Sequence, residues 1–297
     1  MRIGVTLPLA GGDTPDGHVP TFDETLAFAE RAEALGLDSI WVFDHLLFRF
    51  PRQPDAGLRE AWVTLAALAA RVPRVELGAL VMCASFRNPG LTARMAATLD
   101  DLSGGRLVLG LGSGWHDPEY EAFGFPTDHR VGRFAEDIEI ITRLLHGERV
   151  TFRGRWQRTA DAVLLPPPAR RVPILIAAKA PRMLGLAARW ADAWNSVWFG
   201  RVDERLHERL AGLQAACEAA GRDPTTIRRT VGIRLHDPGT GVSDPAGLDA
   251  EAGGLAAFFD ELASLGIDEA MVWSISKSMA ALERIADARA IHLRRAG

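Results

Sequence analysis

Cysteine is scarce in this chain: Cys83 and Cys217 are the only two among 297 residues. Two thiols without CxxC spacing cannot form a disulfide framework, which points to a reducing, cytoplasmic setting. Lysine is equally scarce, with Lys179 and Lys277 alone against an abundance of arginine. No run approaches the roughly 18 consecutive apolar residues of a membrane-spanning helix. Met1–Leu7 enters an apolar strand at once, with no basic region or cleavage pattern, so no signal peptide is expected. A formal net charge of -4 argues against nucleic acid or an anionic membrane as the main partner. His45, His116 and His129 lack metal-ligand spacing such as HExxH, so no metal centre is expected. Gly112-Ser113-Gly114 precedes neither Gly-Lys-Ser/Thr nor an immediate helix, and is therefore neither a P-loop nor a convincing dinucleotide fingerprint.

What the chain does have is ordinary core-forming material, 47% hydrophobic and 24% charged, arranged as a repeating alternation. Ile3–Leu7 reads as a buried strand. Thr21-Phe22-Asp23-Glu24 is a capping box opening a helix whose Phe22, Leu26, Ala29 and Ala32 share one face and which Gly36 ends. Further strands are expected at Ser39–Phe43, Glu76–Val81, Leu107–Leu111, Ile174–Ala177, Ala191–Asn195, Ile227–Leu235 and Glu269–Trp273. Helices are expected at Trp62–Arg71, from Asn88-Pro89 to Leu102, at Arg133–His146, from Pro181, and at Leu206–Ala220, Leu255–Leu265 and Met279–His292. Residues 150–171 read as an arginine-rich excursion, with Pro166-Pro167-Pro168 as a stiff spacer.

Eight strand–helix alternations without a linker predict parallel strands closed into a single (β/α)8 TIM barrel over residues 1–297, with insertions in the loops at its C-terminal face. A doubly wound open sheet is the alternative. A barrel of this kind works at the C-terminal ends of its strands. There the sequence offers Asp44-His45, Leu80-Val81, the Gly112-Ser113-Gly114-Trp115-His116 turn, Ala177-Ala178-Lys179 with Arg182, and Trp194-Asn195. Polar, aromatic and glycine residues of this kind suit a flat flavin-like ring with a phosphate-bearing tail. Each also has a plainer reading: a strand cap, an apolar strand end, a strand-to-loop turn, solvent-facing charge, or barrel core.

These motifs resemble the bacterial-luciferase-like superfamily, which contains FMN-dependent monooxygenases and oxidoreductases using the deazaflavin coenzyme F420. The resemblance rests on Ser39–His45, Arg87-Asn88-Pro89, Leu102–Arg106, Gly110–His116 running on to Glu121–Gly124, and Ala191–Asn195, in order along the chain. It implies that His45 exchanges a proton with substrate, a role suited to a side chain that titrates near neutrality, and that Asp44 bonds the cofactor. It further implies a bulged third strand at Leu80-Val81, often with a cis peptide, beneath the ring. Gly112, Ser113 and Gly114 would approach the ring, while Ala177, Ala178 and Lys179 would meet the cofactor tail. Trp194 and Asn195 would line the cofactor site, and Trp115 and His116 would wall the substrate. The chain departs from the deazaflavin sugar-phosphate dehydrogenases in lacking an acid near Ser113, which puts that substrate in doubt.

The preferred expectation is an F420-dependent oxidoreductase acting on a small organic substrate. An FMN-dependent monooxygenase fed by a partner reductase is the alternative. A non-catalytic flavin-binding barrel is a third reading, against which the retained polar strand ends speak. The family resemblance also implies a homodimer, with the apolar face of the Trp62–Ala70 helix as the expected contact. Substrate choice is expected to lie in the loops at 11–20, 46–60, 115–130 and 236–254.

Overall fold

Eight parallel strands close into a barrel in the computed structural model, which describes residues 1–14, 16–237 and 247–296. In chain order they are β1 (Arg2–Thr6), β2 (Ser39–Val42), β3 (Glu76–Ala79), β4 (Leu107–Gly112), β5 (Ile174–Ala177), β6 (Ala193–Phe199), β7 (Arg228–His236) and β8 (Glu269–Ser274). Each pairs with the next, and β8 pairs back onto β1 through Arg2↔Glu269 to Val5↔Val272. The predicted barrel is therefore observed, and the open-sheet alternative is excluded.

The wrapping helices are α1 (Phe22–Ala34), α2 (Ala61–Arg71), α3 (Pro89–Leu102), α4 (Asp117–Phe123), α5 (Arg130–Leu145), α6 (Pro181–Trp190), α7 (Glu204–Ala219), α8 (Ala252–Ser264) and α9 (Met279–Ala296). Local chemistry starts them where expected. Thr21 and Glu24 make the reciprocal capping box of α1, and Asn88 Oδ1 caps α3 ahead of Pro89, satisfying first-turn N–H groups.

The barrel interior is filled rather than open. Trp41, fully buried, lies among Val108, Leu175, Ala193 and Met271. Room for its ring comes from two neighbouring strands: a Cβ on Gly78 would sit 2.7 Å from the ring, and one on Gly4 would sit 2.9 Å from the indole nitrogen. That nitrogen donates to Ser39 Oγ (2.7 Å), which in turn donates to the buried Glu269 carboxylate. Arg228 and Glu76 complete a charged layer at the N-terminal end, the end that such barrels give over to stability.

Several expectations need correction. The apolar face of α2 is not available for dimerisation, because Trp62, Leu65, Leu68 and Ala69 are buried in the monomer core. Polar loop sequence concealed α4, a helix of seven residues. Residues 150–171 contain an antiparallel hairpin, Val150–Arg153 with Arg158–Ala162. The sixth strand runs on to Phe199. Of the predicted 236–254 loop, 238–246 lie outside the described residues, as does Pro15 of the 11–20 loop.

The hairpin docks on α5. Its Arg155, Trp156 and Gln157 amides donate to Glu136, and the Trp156 ring occupies the space left by Gly132. Beside it Asp137 is buried, and burial followed by the Glu136 charge pushes its pKa up to about 7. An acid that holds its proton better in the folded chain makes stability fall as pH rises. The loss begins near the unfolded value of about 4 and ends near pH 7, at about 1.4 kcal/mol per pH unit. Asp137→Asn is therefore expected to melt at a higher temperature than the parent at pH 8, with the gap closing towards pH 4, as followed by circular dichroism.

Candidate active site

Beyond β2 the chain turns through Phe43, Asp44 and His45 at the C-terminal mouth. Glu119, on α4, reaches back 74 residues to this turn. Its Oε1 lies 2.9 Å from His45 Nδ1, and its Oε2 accepts the Leu46 amide at 2.9 Å. The Glu119 side chain is 2% exposed and that of His45 is 14% exposed. With Nδ1 held by a carboxylate, the tautomer and the ring plane are set, and Nε2 is the nitrogen left to exchange a proton. Glu119 was not singled out from the sequence; the Asp117-Pro118 pair that opens its helix was the signal available.

Asp44 has a different place from the expected one. Its side chain is sealed from solvent, accepting from Arg87 Nη1 (2.6 Å), Arg87 Nη2 (2.9 Å) and the Cys83 amide (2.8 Å). Arg87 also meets Glu60, the cap of α2. Asp44 thus ties the end of β2 to the segment after β3, and its carboxylate is enclosed by protein donors rather than open to a cofactor.

That segment is the expected bulge. The Leu80 amide bonds Val42 O (2.7 Å), the Leu80–Val81 peptide is cis, and Met82–Cys83 then pairs with Leu111–Gly112 of β4. Leu80 and Val81 are half-buried above the Trp41 cluster. The glycines of the next turn serve this packing. A Cβ on Gly112 would meet Val81 at 2.6 Å, and one on Gly114, whose φ is +77°, would collide with Tyr120 and Cys83. Ser113 gives its carbonyl to Tyr120 Oη (3.1 Å). Cys83 Sγ lies 3.0 Å from the same hydroxyl, and burial pushes this thiol up to about 12, so it is a packed, protonated group rather than a nucleophile.

Trp115 and His116 divide their expected role. Trp115 is 59% exposed and meets the His45 ring edge-on at 5.4 Å. His116 is buried, and its Nε2 accepts the Arg49 amide at 3.1 Å. Desolvation lowers its pKa, so it is a neutral acceptor that pins the 46–60 loop.

At β5 the groups separate further. Ala178 donates its N–H to Asn195 O (3.1 Å), and its carbonyl accepts the Trp194 indole (2.9 Å), so its backbone is already engaged. Trp194 is fully buried in the core, and Asn195, 1% exposed, donates to Thr230 Oγ1 (2.8 Å) inside the barrel. Both are interior residues, not the cofactor walls expected. Ala177 is half-buried, whereas Lys179 and Arg182 are exposed. Partial desolvation, then the charges of Arg209 and Arg205, hold Lys179 below the usual lysine range. Arg209 donates to Lys179 O (2.9 Å). Helix α6 starts here without a side-chain cap. An uncapped helix N-terminus beside crowded cations is a place that an anionic group would relieve.

Among the described residues no three His, Cys, Asp or Glu side chains are grouped to hold a metal ion, and no helix is long and apolar enough to cross a membrane. A groove lined by Met1, Arg2, Asp38, Arg228, Asp268 and Arg289 lies at the opposite, N-terminal end of the barrel, away from His45.

A parallel barrel whose second strand ends in an Asp-His turn beside an interrupted third strand agrees with what the family comparison finds: residues 1–237 match the luciferase-like monooxygenase family model. The chain belongs to that family. It is similar to an F420-dependent glucose-6-phosphate dehydrogenase of Kineococcus radiotolerans, 36% identical over 75% of this chain and 69% of that one. An F420-dependent hydroxymycolic acid dehydrogenase of Mycobacterium tuberculosis is 36% identical over 69% of this chain and 56% of its own length. A solved F420-dependent secondary alcohol dehydrogenase shares the fold at a TM-score of 0.80 and 20% identity, covering 97% of this chain and 99% of that one.

Because Asp44 is enclosed, its partner is needed for the fold. Arg87→Ala leaves a buried carboxylate without its counter-charge and is expected to cost roughly 3–5 kcal/mol, measured by urea unfolding.

Proposed function

We propose that this protein is an oxidoreductase that uses coenzyme F420 to move a hydride to or from a small organic substrate, with His45 exchanging the substrate's hydroxyl proton. The observation that carries the reading is the His45–Glu119 pair at the barrel mouth, next to the half-buried Leu80-Val81 bulge. Relatives similar over most of this chain are named for F420-dependent dehydrogenation.

The residues present fit such a group. The bulge offers an apolar bed, and the uncapped start of α6 with Lys179 and Arg182 offers donors and charge for a phosphate-bearing tail. When bound, a deazaflavin supplies a two-electron hydride carrier. The rest falls to the chain. Glu119 fixes the His45 ring so that Nε2 faces its work, and takes up part of the charge when that ring is protonated. Tyr120, Cys83 and Ser113 hold the glycine turn. Asp44 and Arg87 hold the bulge against β2.

Separate titrations with F420 and with FMN, each followed by its own chromophore, test the cofactor. F420 is expected to bind, whereas tight FMN binding without response to F420 would move the reading to a monooxygenase served by a reductase. His45→Ala is expected to lower kcat by about 10²–10⁴-fold with little change in F420 affinity, and Glu119→Gln by less. An unchanged His45→Ala rate removes the histidine from the chemistry. A homodimer and a cytoplasmic location belong to the same proposal. The first rests on the family resemblance and is tested by light scattering, where a monomer mass overturns it. The second rests on the two buried, unbridged cysteines.

A further inference from the structure

The 46–60 loop carries aromatic rings that the proton-exchange scheme leaves unused. Phe43 and Phe48 stack at 6.0 Å and 29°, Phe48 and Phe50 at 5.9 Å and 26°, and Phe50 and Trp115 at 6.5 Å and 25°. The rings form one ladder. It starts at half-buried Phe43, packed on the core, and ends at Phe50 and Trp115, which are 38% and 59% exposed. His45 lies against its middle, 4.5 Å from Phe48 and 5.4 Å from Trp115.

The exposure of the outer rings is built in. Phe48 and Ala56 exchange two backbone hydrogen bonds, the Arg49 amide bonds His116, and the Leu46 amide bonds Glu119. Arg49, the cation in the middle of this stretch, is held by a two-nitrogen pair with Asp55. Large rings fixed open to water beside a reactive nitrogen mark a binding surface rather than a packing remnant. Near-parallel rings prefer another flat ring, through offset stacking beyond simple area burial.

Resting on the assignment of His45 above, we propose that the substrate is an aryl-bearing secondary alcohol or the matching aryl ketone, its ring stacked along the Phe48–Phe50–Trp115 face and its oxygen directed to His45. In the oxidising direction a bound deazaflavin would accept the carbinol C–H electron pair as hydride, while His45 takes the O–H proton and the C=O bond forms. The cation between the stacked rings, Arg49, is already paired with Asp55, so the ring face itself offers a sugar phosphate no free charge; the exposed Arg52 belongs to the turn beyond Phe50.

Ligand-observed NMR titrations with acetophenone, 2-octanone and glucose 6-phosphate, with and without F420, test this. Acetophenone is expected to bind tightest. Trp115→Ala should weaken it about five- to tenfold while Trp115→Phe restores most of the affinity, a rescue that loss of folding could not produce. Equal or tighter binding of 2-octanone or glucose 6-phosphate overturns the proposal, as does acetophenone binding unchanged in Trp115→Ala. F420 affinity, read separately by its own fluorescence, judges the cofactor assignment. The titrations without F420 judge the aromatic site whichever way that assignment falls.

Discussion

Glu119 reaches across the barrel mouth, and its two oxygens fasten two neighbouring residues at once: the His45 ring through Nδ1 and the chain just after it through the Leu46 amide. A carboxylate with 2% of its side chain exposed holds these partners in a setting where water competes poorly. The far end of the 46–60 loop is held separately, by the Gly11 amide on Gly57 O and the Arg59 amide on Leu9 O. His116, one turn earlier, adds the bond to Arg49. The His45 ring and the start of the 46–60 loop are therefore both tied down by α4 and its N-cap residue.

A second carboxylate does the complementary task. Asp44, adjacent to His45, faces the protein and joins β2 to the bulge through Arg87 and the Cys83 amide. Neighbouring residues Asp44 and His45 thus have different settings, one enclosed among protein donors, the other half-buried at the barrel mouth with one ring nitrogen held by Glu119. The glycine turn follows the same logic, since Val81 and Tyr120 occupy the space that side chains at 112 and 114 would need.

Sequence made the barrel readable because strand and helix periods alternate regularly and some helix starts carry a cap, as at Thr21 and Asn88. His45, Trp115 and the Leu80-Val81 bulge could be found by position, since they directly follow strands. Glu119 could not, because its importance lies in a contact across 74 residues and its helix is too short to show a period. Trp194 and Asn195 misled for a related reason. Both occupy a strand near its C-terminal end, yet their partners Ala178 and Thr230 lie on adjacent elements and draw them inward. Orientation at a strand end depends on those neighbours, which a linear pattern does not reveal.

The packing of Trp41 carries a consequence for how this barrel can change over time. Its ring exists by permission of Gly4 and Gly78 on the flanking strands, and its nitrogen leads through Ser39 to Glu269 on a fourth. A side chain gained at Gly4 would collide with Ser39 Oγ as well as the indole, and one at Gly78 with the Val108 carbonyl as well as the indole, while a smaller residue at 41 leaves a void in a close-packed interior. Either change alone passes through a less stable protein, so these positions are expected to be inherited together. Relatives that fill the barrel differently would differ at several of them in concert, across strands far apart in the chain.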